Sequence, residues 1–596
     1  MGLPYDAHAV EAKWRARWEA DRLYQPEVGA GRPVFYNLAE FPYPSAAGLH
    51  VGHVFRYCGL DAYGRYQRMR GRTVFQPIGF DSFGINAENY AMKAGRHPAA
   101  LIGETIANFR RQLSSVGIGW DWSREIVTSD PSYYRWTQWI FVQLFRAGLA
   151  YQAEAPVIWC PSCATVLARE QVEADRCERC DTPVTERVLR QWFLRITSYA
   201  DRLRHGLDGL DWPERAKRLQ RNWIGGLRGP NATEGLRGPN ATEGLHDWNI
   251  SRQRYWGPPI PIVHCARCGP VAVPEDQLPV LLPPVITEEW APTTCPACGG
   301  EARRETDVSD TFFDSSWYFL RYPCTDIDDW AWDPDRVRPV DFYAGGPEHV
   351  QRHHLYARFV TMALHDLGLV PFEEPFPCIR LGGMIVQDGA KMSKSRGNVV
   401  GPDELLAAHG ADVTRLHLLF SGPWEHGGEY RAAGVAGIER FLTRVWRPQA
   451  APDPAVEART IRRVTEAIED LRFNVAIAAL MEGVPELGAR TLARLLAPLA
   501  PHVAEELWAR LGEPYSVHQA AWPEAVAPSS DAATVTLVVQ VDGRVRDRIV
   551  VPPGLDEGAA RARALASPRV EQAVAGRPVY RTVHISDRLI NLVVAR

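Results

Sequence analysis

Apolar positions along this chain fall into blocks with different periods. Between His8 and Ala20, Val10, Trp14 and Trp18 recur every four residues, which predicts an amphipathic helix. Pro33 to Leu38 is a short apolar run read as a buried strand, and Thr73 to Pro77 is read as the next. A strand, a turn and then a helix carrying His50 and His53 is the opening of a doubly wound parallel sheet, whose ligand crevice lies at the carboxyl ends of its strands. Helical spacing returns at Ala411 to Phe420, Gly434 to Trp446, Arg459 to Leu471 and Ala489 to Leu511, the last kinked by Pro498 and Pro501. Thr534 to Val551 alternates around Asp542-Gly543 as a hairpin does. Two helical stretches and Arg581 to Val594 then complete a small α/β unit. Pro448 to Pro454 and Ala525 to Ala533 read as linkers.

Composition narrows the class. With 596 residues, 46% hydrophobic and 23% charged, the chain can bury several cores, and its length suggests about four domains. Nothing approaches a membrane span and the start lacks a signal-peptide profile, so the expectation is a cytoplasmic protein. A net charge of −4 means that RNA contacts must come from local basic faces such as Pro213 to Arg221. Leu227 to Gly235 recurs unchanged from Leu236 to Gly244. Two copies of so short and polar a unit cannot build a solenoid, which needs repeats of roughly 20 residues or more, so this is a linker.

Eight of the eleven cysteines form four Cys-x-x-Cys pairs: Cys160 with Cys163, Cys177 with Cys180, Cys265 with Cys268, and Cys295 with Cys298. Grouped in fours, they point to tetrahedral thiolate sites for zinc. Both sets are closed by four sulfurs, so the zinc is structural. The first set makes a compact knuckle and the second closes a longer, Pro-rich loop. Cys58, Cys324 and Cys378 read as buried small hydrophobes.

Only five lysines accompany the arginines in a total of 67 basic residues, and two of the five, Lys391 and Lys394, share the run Lys391-Met392-Ser393-Lys394-Ser395. A compact ammonium on a flexible stem can follow a phosphate as it moves. His50 and His53, with Gly52 between them, face one way at a helix start, where free backbone N–H groups favour an anion. Alone, either string is a capped helix start or a polar turn; together and in this order they point to a nucleotide site.

The two strings resemble the nucleotide signatures of class I aminoacyl-tRNA synthetases, and the likeness is closest to the leucyl-tRNA synthetases. It is carried by Phe41-Pro42-Tyr43-Pro44-Ser45, Asp81-Ser82-Phe83-Gly84, Trp223-Ile224-Gly225, Ser251 to Gly257, Asp310-Thr311-Phe312, Ser315 to Tyr318, Gly345-Gly346-Pro347-Glu348-His349 and Val539 to Asp547. This resemblance implies a Rossmann-like parallel sheet with zinc-knuckle insertions, a helical-bundle domain of the anticodon-binding type and a small C-terminal α/β domain. The implied divisions are a catalytic domain at 1–150 and 306–425, a zinc knuckle at 151–195, a connective segment at 196–256 with the repeated linker at 226–245, a second zinc insertion at 257–305, the helical domain at 426–525 and the terminal domain at 534–596. The implied activity is ATP-dependent formation of leucyl adenylate and its transfer to tRNA(Leu), with Mg²⁺ and zinc as metals and a monomer as the working unit.

By the same likeness, His50, His53, Lys391 and Lys394 carry the chemistry, and ATP is held by Gly52, Gly345, Gly346, Glu348, His349, Met392 and Ser393 as well. The leucine pocket falls to Phe41, Tyr43, Asp81, Phe312, Ser315, Tyr318, Tyr343 and His353, with Asp81 accepting the α-ammonium. Members of the family carry a hydrolytic editing domain after Trp-Ile-Gly; here the duplicated linker stands in its place, so no editing is expected. The helical region from Gly422 to Trp522 is also short for the family. Two rival readings remain at this stage: a paralogue that charges a carrier protein or biosynthetic intermediate, and a noncatalytic RNA-binding relative.

Overall fold

The computed structural model describes residues 5–29, 31, 33–44, 48–163, 165–167, 171–177, 180–225, 244–283, 289–387, 389–391, 400–447, 451–525 and 535–595. Almost all of the duplicated linker, most of the linker at 525–533, the first residues of that at 448–454 and the loop at 392–399 lie outside them.

Four parallel strands build the central sheet in the order Ile379–Leu381, Phe342–Gly345, Phe35–Ala39 and Val74–Phe75. All five residues of Phe35–Ala39 are buried, as a parallel strand covered on both faces requires. Leu38 stands opposite Tyr343, so the two strands end together at one edge of the sheet. Asn37, fully buried among apolar neighbours, donates to Leu60 O at 3.1 Å and to Gln76 Oε1 at 2.6 Å. These bonds tie the strand to the Val51–Met69 helix and satisfy groups that burial would otherwise penalise.

The single strand expected over Thr73 to Pro77 is two. Val74–Phe75 pairs with Phe35–Ala39, whereas Pro77–Phe80 pairs in parallel with Asp121–Val127. Proline cannot donate to the first ladder, and Gln76 O instead accepts from Asp121 N at 2.8 Å. The long helix expected over Ala489 to Leu511 is likewise two, Ala489–Leu496 and Pro501–Arg510, because Pro501 opens a new helix rather than kinking an old one. Phe473–Gly483 is a helix that periodicity missed: it is apolar almost all round and shows no stripe. Cys58 and Cys324 are buried as expected, but Cys378 is only half-buried.

A ribbon of Ala150–Cys160 paired with Thr185–Leu194 carries the first cysteine set, and a separate four-stranded antiparallel sheet carries the second. The terminal unit has its own apolar cluster and a mixed sheet backed by Glu557–Leu565 and Pro568–Val574. Its hairpin turns through Asp542 and Gly543 at φ of 51° and 77°, the left-handed pair that a two-residue hairpin loop needs. Asp61, in the Val51–Met69 helix, accepts from Arg65 Nε at 2.8 Å and from Arg415 of the Ala411–Phe420 helix at 2.6 Å. That buried bridge fastens the helix bearing His53 to the carboxyl-terminal helices.

Candidate active site

A cavity of about 240 Å³ opens at the carboxyl ends of Phe35–Ala39 and Phe342–Gly345. Of the residues expected from sequence, Phe41, Tyr43, His50, Gly52, His53, Ser315, Glu348, His349 and His353 line it. Tyr318 and Tyr343 form a layer behind the wall. The Tyr318 ring stacks on Phe41 at 4.0 Å, its hydroxyl meets Tyr343 Oη at 2.9 Å, and Tyr343 Oη meets His353 Nε2 at 2.9 Å. Phe312 is buried against Tyr356, with its ring 6.3 Å from that of His349.

The two signature histidines are fixed by the start of the Val51–Met69 helix. His50 Nδ1 accepts from Gly52 N at 3.0 Å, and His53 Nδ1 accepts from His50 N at 3.3 Å, a reciprocal cap. A ring nitrogen that accepts carries no proton, so each imidazole presents Nε2–H as its donor. Burial, with His50 and Arg56 nearby, pushes the His53 pKa well below its usual value, so that ring stays neutral. A side chain on Gly52 would put Cβ 2.8 Å from His50 Cε1; glycine is what lets the ring fold back over its own helix.

Both flanks of the lysine loop reach this turn. Gly383, Met384 and Ile385 line the cavity, and the Met384–Gln387 strand pairs with Ala390–Lys391. Beyond the loop, Val400 O accepts from Val51 N at 3.0 Å, in the first turn of the histidine helix. The loop's start is therefore at the cavity and its end is bonded to the histidine helix, while Met392, Ser393 and Lys394 lie outside the described residues.

Asp81 does not line the cavity; it is fully buried beside it, its N–H bonded to Pro42 O at 3.1 Å. Its Oδ1 accepts from Thr311 Oγ1 at 2.9 Å, and Oδ2 has no partner. Burial and the neighbouring Asp314 push the Asp81 carboxyl well above the carboxylate range. Ser315 Oγ, lining the cavity, is also buried without a partner.

Sequence reasoning missed Glu40, Arg56 and Tyr57, which also line the cavity. Glu40 Oε2 accepts from Gly346 N and its Oε1 meets His354 Nε2, each at 2.8 Å. Burial works against its charge, but His349 and His354 hold the carboxyl well below its usual pKa. The missed signal was an acid placed between an apolar strand and Phe41. Arg56 lies 3.5 Å from Glu348, and Tyr57 Oη donates to Glu40 O.

Both cysteine sets assemble. In Cys160, Cys163, Cys177 and Cys180, and again in Cys265, Cys268, Cys295 and Cys298, the four sulfurs lie within 4.8 Å of one another. A tetrahedral zinc with bonds of about 2.3 Å spaces its sulfurs at roughly 3.8 Å, so each set fits one ion. Among the described residues, no helix is long and apolar enough to cross a membrane.

This fold and site define a class. Residues 13–426 match the family model for class I tRNA synthetases (I, L, M and V), and residues 488–561 match the anticodon-binding domain of tRNA ligases. The leucine–tRNA ligase of Dehalococcoides mccartyi strain 195 is 36% identical over 815 residues, covering 100% of both chains, and that of Rubrobacter xylanophilus is 38% identical over 806, covering 99% of this chain and 98% of the relative. The chain belongs to the leucine–tRNA ligase family. Among solved structures, the ternary complex of Agrobacterium radiobacter K84 agnB2 LeuRS with tRNA and LeuAMS matches with a TM-score of 0.85 at 31% identity, over 99% of this chain and 100% of that one. A methionyl-tRNA synthetase of Mycobacterium tuberculosis shares the fold, with a TM-score of 0.59 at 20% identity over 81% of this chain and 95% of that one.

Proposed function

We propose that this protein activates leucine with ATP and loads it onto tRNA(Leu). One observation carries the reading: the His50–His53 turn and the segment leading into the lysine loop line one cavity, and the far end of that loop is bonded to the first turn of the histidine helix. Leucine docks with its α-ammonium on Asp81 and its side chain against Phe41 and Tyr43, backed by the Tyr318–Tyr343–His353 layer. A carboxylate oxygen of leucine attacks the α-phosphorus of ATP, the bond to the bridging oxygen breaks, and pyrophosphate leaves. His50 and His53 donate Nε2–H to phosphate oxygens, and Lys391 and Lys394 follow the leaving group. Mg²⁺ accompanying ATP would supply charge neutralisation at the phosphates. A ribose hydroxyl of the tRNA terminus then attacks the leucyl carbonyl and AMP departs, with no protein nucleophile required. The match to an anticodon-binding domain favours tRNA over a carrier acceptor.

We further infer that mischarged tRNA is not edited. The alignment to the Dehalococcoides relative runs over 815 positions against 596 residues here, so at least 219 positions of the alignment have no counterpart in this chain. Between Gly225 and Leu245 only the duplicated linker remains, far too short for a folded domain. Selection against isosteres then rests on the synthetic pocket, where one methylene is worth about 10–200-fold. Leucine-dependent ATP–pyrophosphate exchange followed by charging of total tRNA tests the main reading. Exchange without charging moves the acceptor elsewhere, and no exchange refutes the activity. Norvaline-charged tRNA is expected to persist with the protein, and its rapid deacylation would refute the absence of editing.

A further inference from the structure

Glu40 occupies an unusual position for a carboxylate. It follows the last residue of the Phe35–Ala39 strand, where that strand and Phe342–Gly345 part to open the cavity. Its backbone N–H bonds Ala344 O at 3.0 Å, and its side chain crosses to the neighbouring strand end. There Oε2 holds Gly346 N and Oε1 holds His354 Nε2, each at 2.8 Å, while His349 Nε2 stands 3.9 Å away. One carboxylate thus joins the ends of two strands to the first turn of the His353–Asp366 helix.

The glycine beside it is shaped for this contact. A Cβ on Gly345 would lie 2.4 Å from Glu40 Oε1 and 2.9 Å from His354 Nε2, so the backbone approaches the carboxylate more closely than any other residue would permit. His349 and then His354 outweigh burial and hold the Glu40 carboxyl well below its usual pKa, on the wall of the same cavity.

We propose that Glu40 is a positioning residue for the nucleotide: through its bonds to Gly346 N and His354 Nε2 it fixes the strand end from which the Glu348–His349 wall of the cavity runs. This inference rests on the ATP-dependent reading above and adds a residue that the family signatures did not flag.

The test compares Glu40→Ala and Glu40→Gln in ATP–pyrophosphate exchange, varying ATP and leucine separately. Ala removes acceptor and charge; Gln keeps an acceptor for Gly346 N. We expect the KM for ATP to rise at least tenfold in Glu40→Ala and three- to tenfold in Glu40→Gln, with the KM for leucine within twofold of wild type in both. Equal rises in both KM values, or Gln no better than Ala, would overturn the proposal. If Glu40→Ala does not fold, Glu40→Gln decides alone: an ATP KM within twofold of wild type refutes it. Titration calorimetry with ATP gives the same comparison without turnover. A wild-type protein that binds ATP but shows no exchange would sink the activity while leaving this inference standing or falling on the binding data.

Discussion

Replacing Asp61 by Asn tests how the Val51–Met69 helix, which bears His53, is held to the rest of the protein. Asp61, Arg65 and Arg415 are all nearly or wholly buried. Asp61 Oδ2 accepts from Arg65 Nε at 2.8 Å and Arg415 at 2.6 Å, and Oδ1 accepts from Gly119 N at 2.8 Å. Asn keeps the volume and one acceptor oxygen but leaves two guanidiniums without a counter-charge. Breaking a buried pair by removing one partner costs about 3–5 kcal/mol, most of it the penalty of the stranded charge. That is a large share of the roughly 5–15 kcal/mol by which a domain is stable. Urea unfolding followed by tryptophan fluorescence reads it, since Trp18, Trp424 and Trp522 pack around this junction. The pH dependence gives a second check. Burial alone would raise the Asp61 pKa, but Arg65 and Arg415 outweigh it and hold it below its usual value. Its contribution is therefore present above about pH 4, the unfolded pKa, and is lost as pH falls through the lower folded one. The gap between wild type and Asp61→Asn should close over that acidic range. A loss under about 1 kcal/mol at neutral pH, or a gap that widens in acid, would refute the reasoning.

The other junction titrates in the opposite sense. Burial, then Asp412, pushes Glu11 up to about 8, while its Oε1 caps the Ala411–Phe420 helix by accepting from Ala411 N at 2.6 Å. The folded protein thus binds more protons than the unfolded chain between about pH 4.5 and 8, and stability falls as pH rises through that window. Glu11→Gln keeps the cap without the titration. Its thermal midpoint should gain on wild type steadily from pH 5 to 8; a constant difference would refute the assignment. Elemental analysis should find two zinc ions per chain, falling to one in Cys177→Ser and in Cys295→Ser; a single ion in wild type would refute one of the two sites.

The parts that could be read from sequence are those where chemistry needs a residue type at a fixed spacing. His50 and His53 were legible because a three-residue interval at a helix start turns both side chains one way, and the Cys-x-x-Cys pairs because their grouping in fours matches a thiolate tetrahedron. Helices with one apolar stripe were legible as well. Those that are apolar all round were not, and Phe473–Gly483 is the example. Glu40 shows the deeper limit. Its role depends on Gly346 and His354, over 300 residues away in the chain. No local pattern records that a parallel sheet will bring the ends of Phe35–Ala39 and Phe342–Gly345 together, since that register is settled only when the strands pair. The same reasoning explains why Asp81 was legible in kind but not in place: its motif is local, while its burial beside Asp314 follows from how distant segments pack. The groups proposed to act on ATP are thus encoded as short strings, and the polar scaffolding around them is encoded in the topology. Substitutions at Glu40, Asp61 and Glu11, none of which lies in a signature, are for that reason the sharper test of how this fold holds its site.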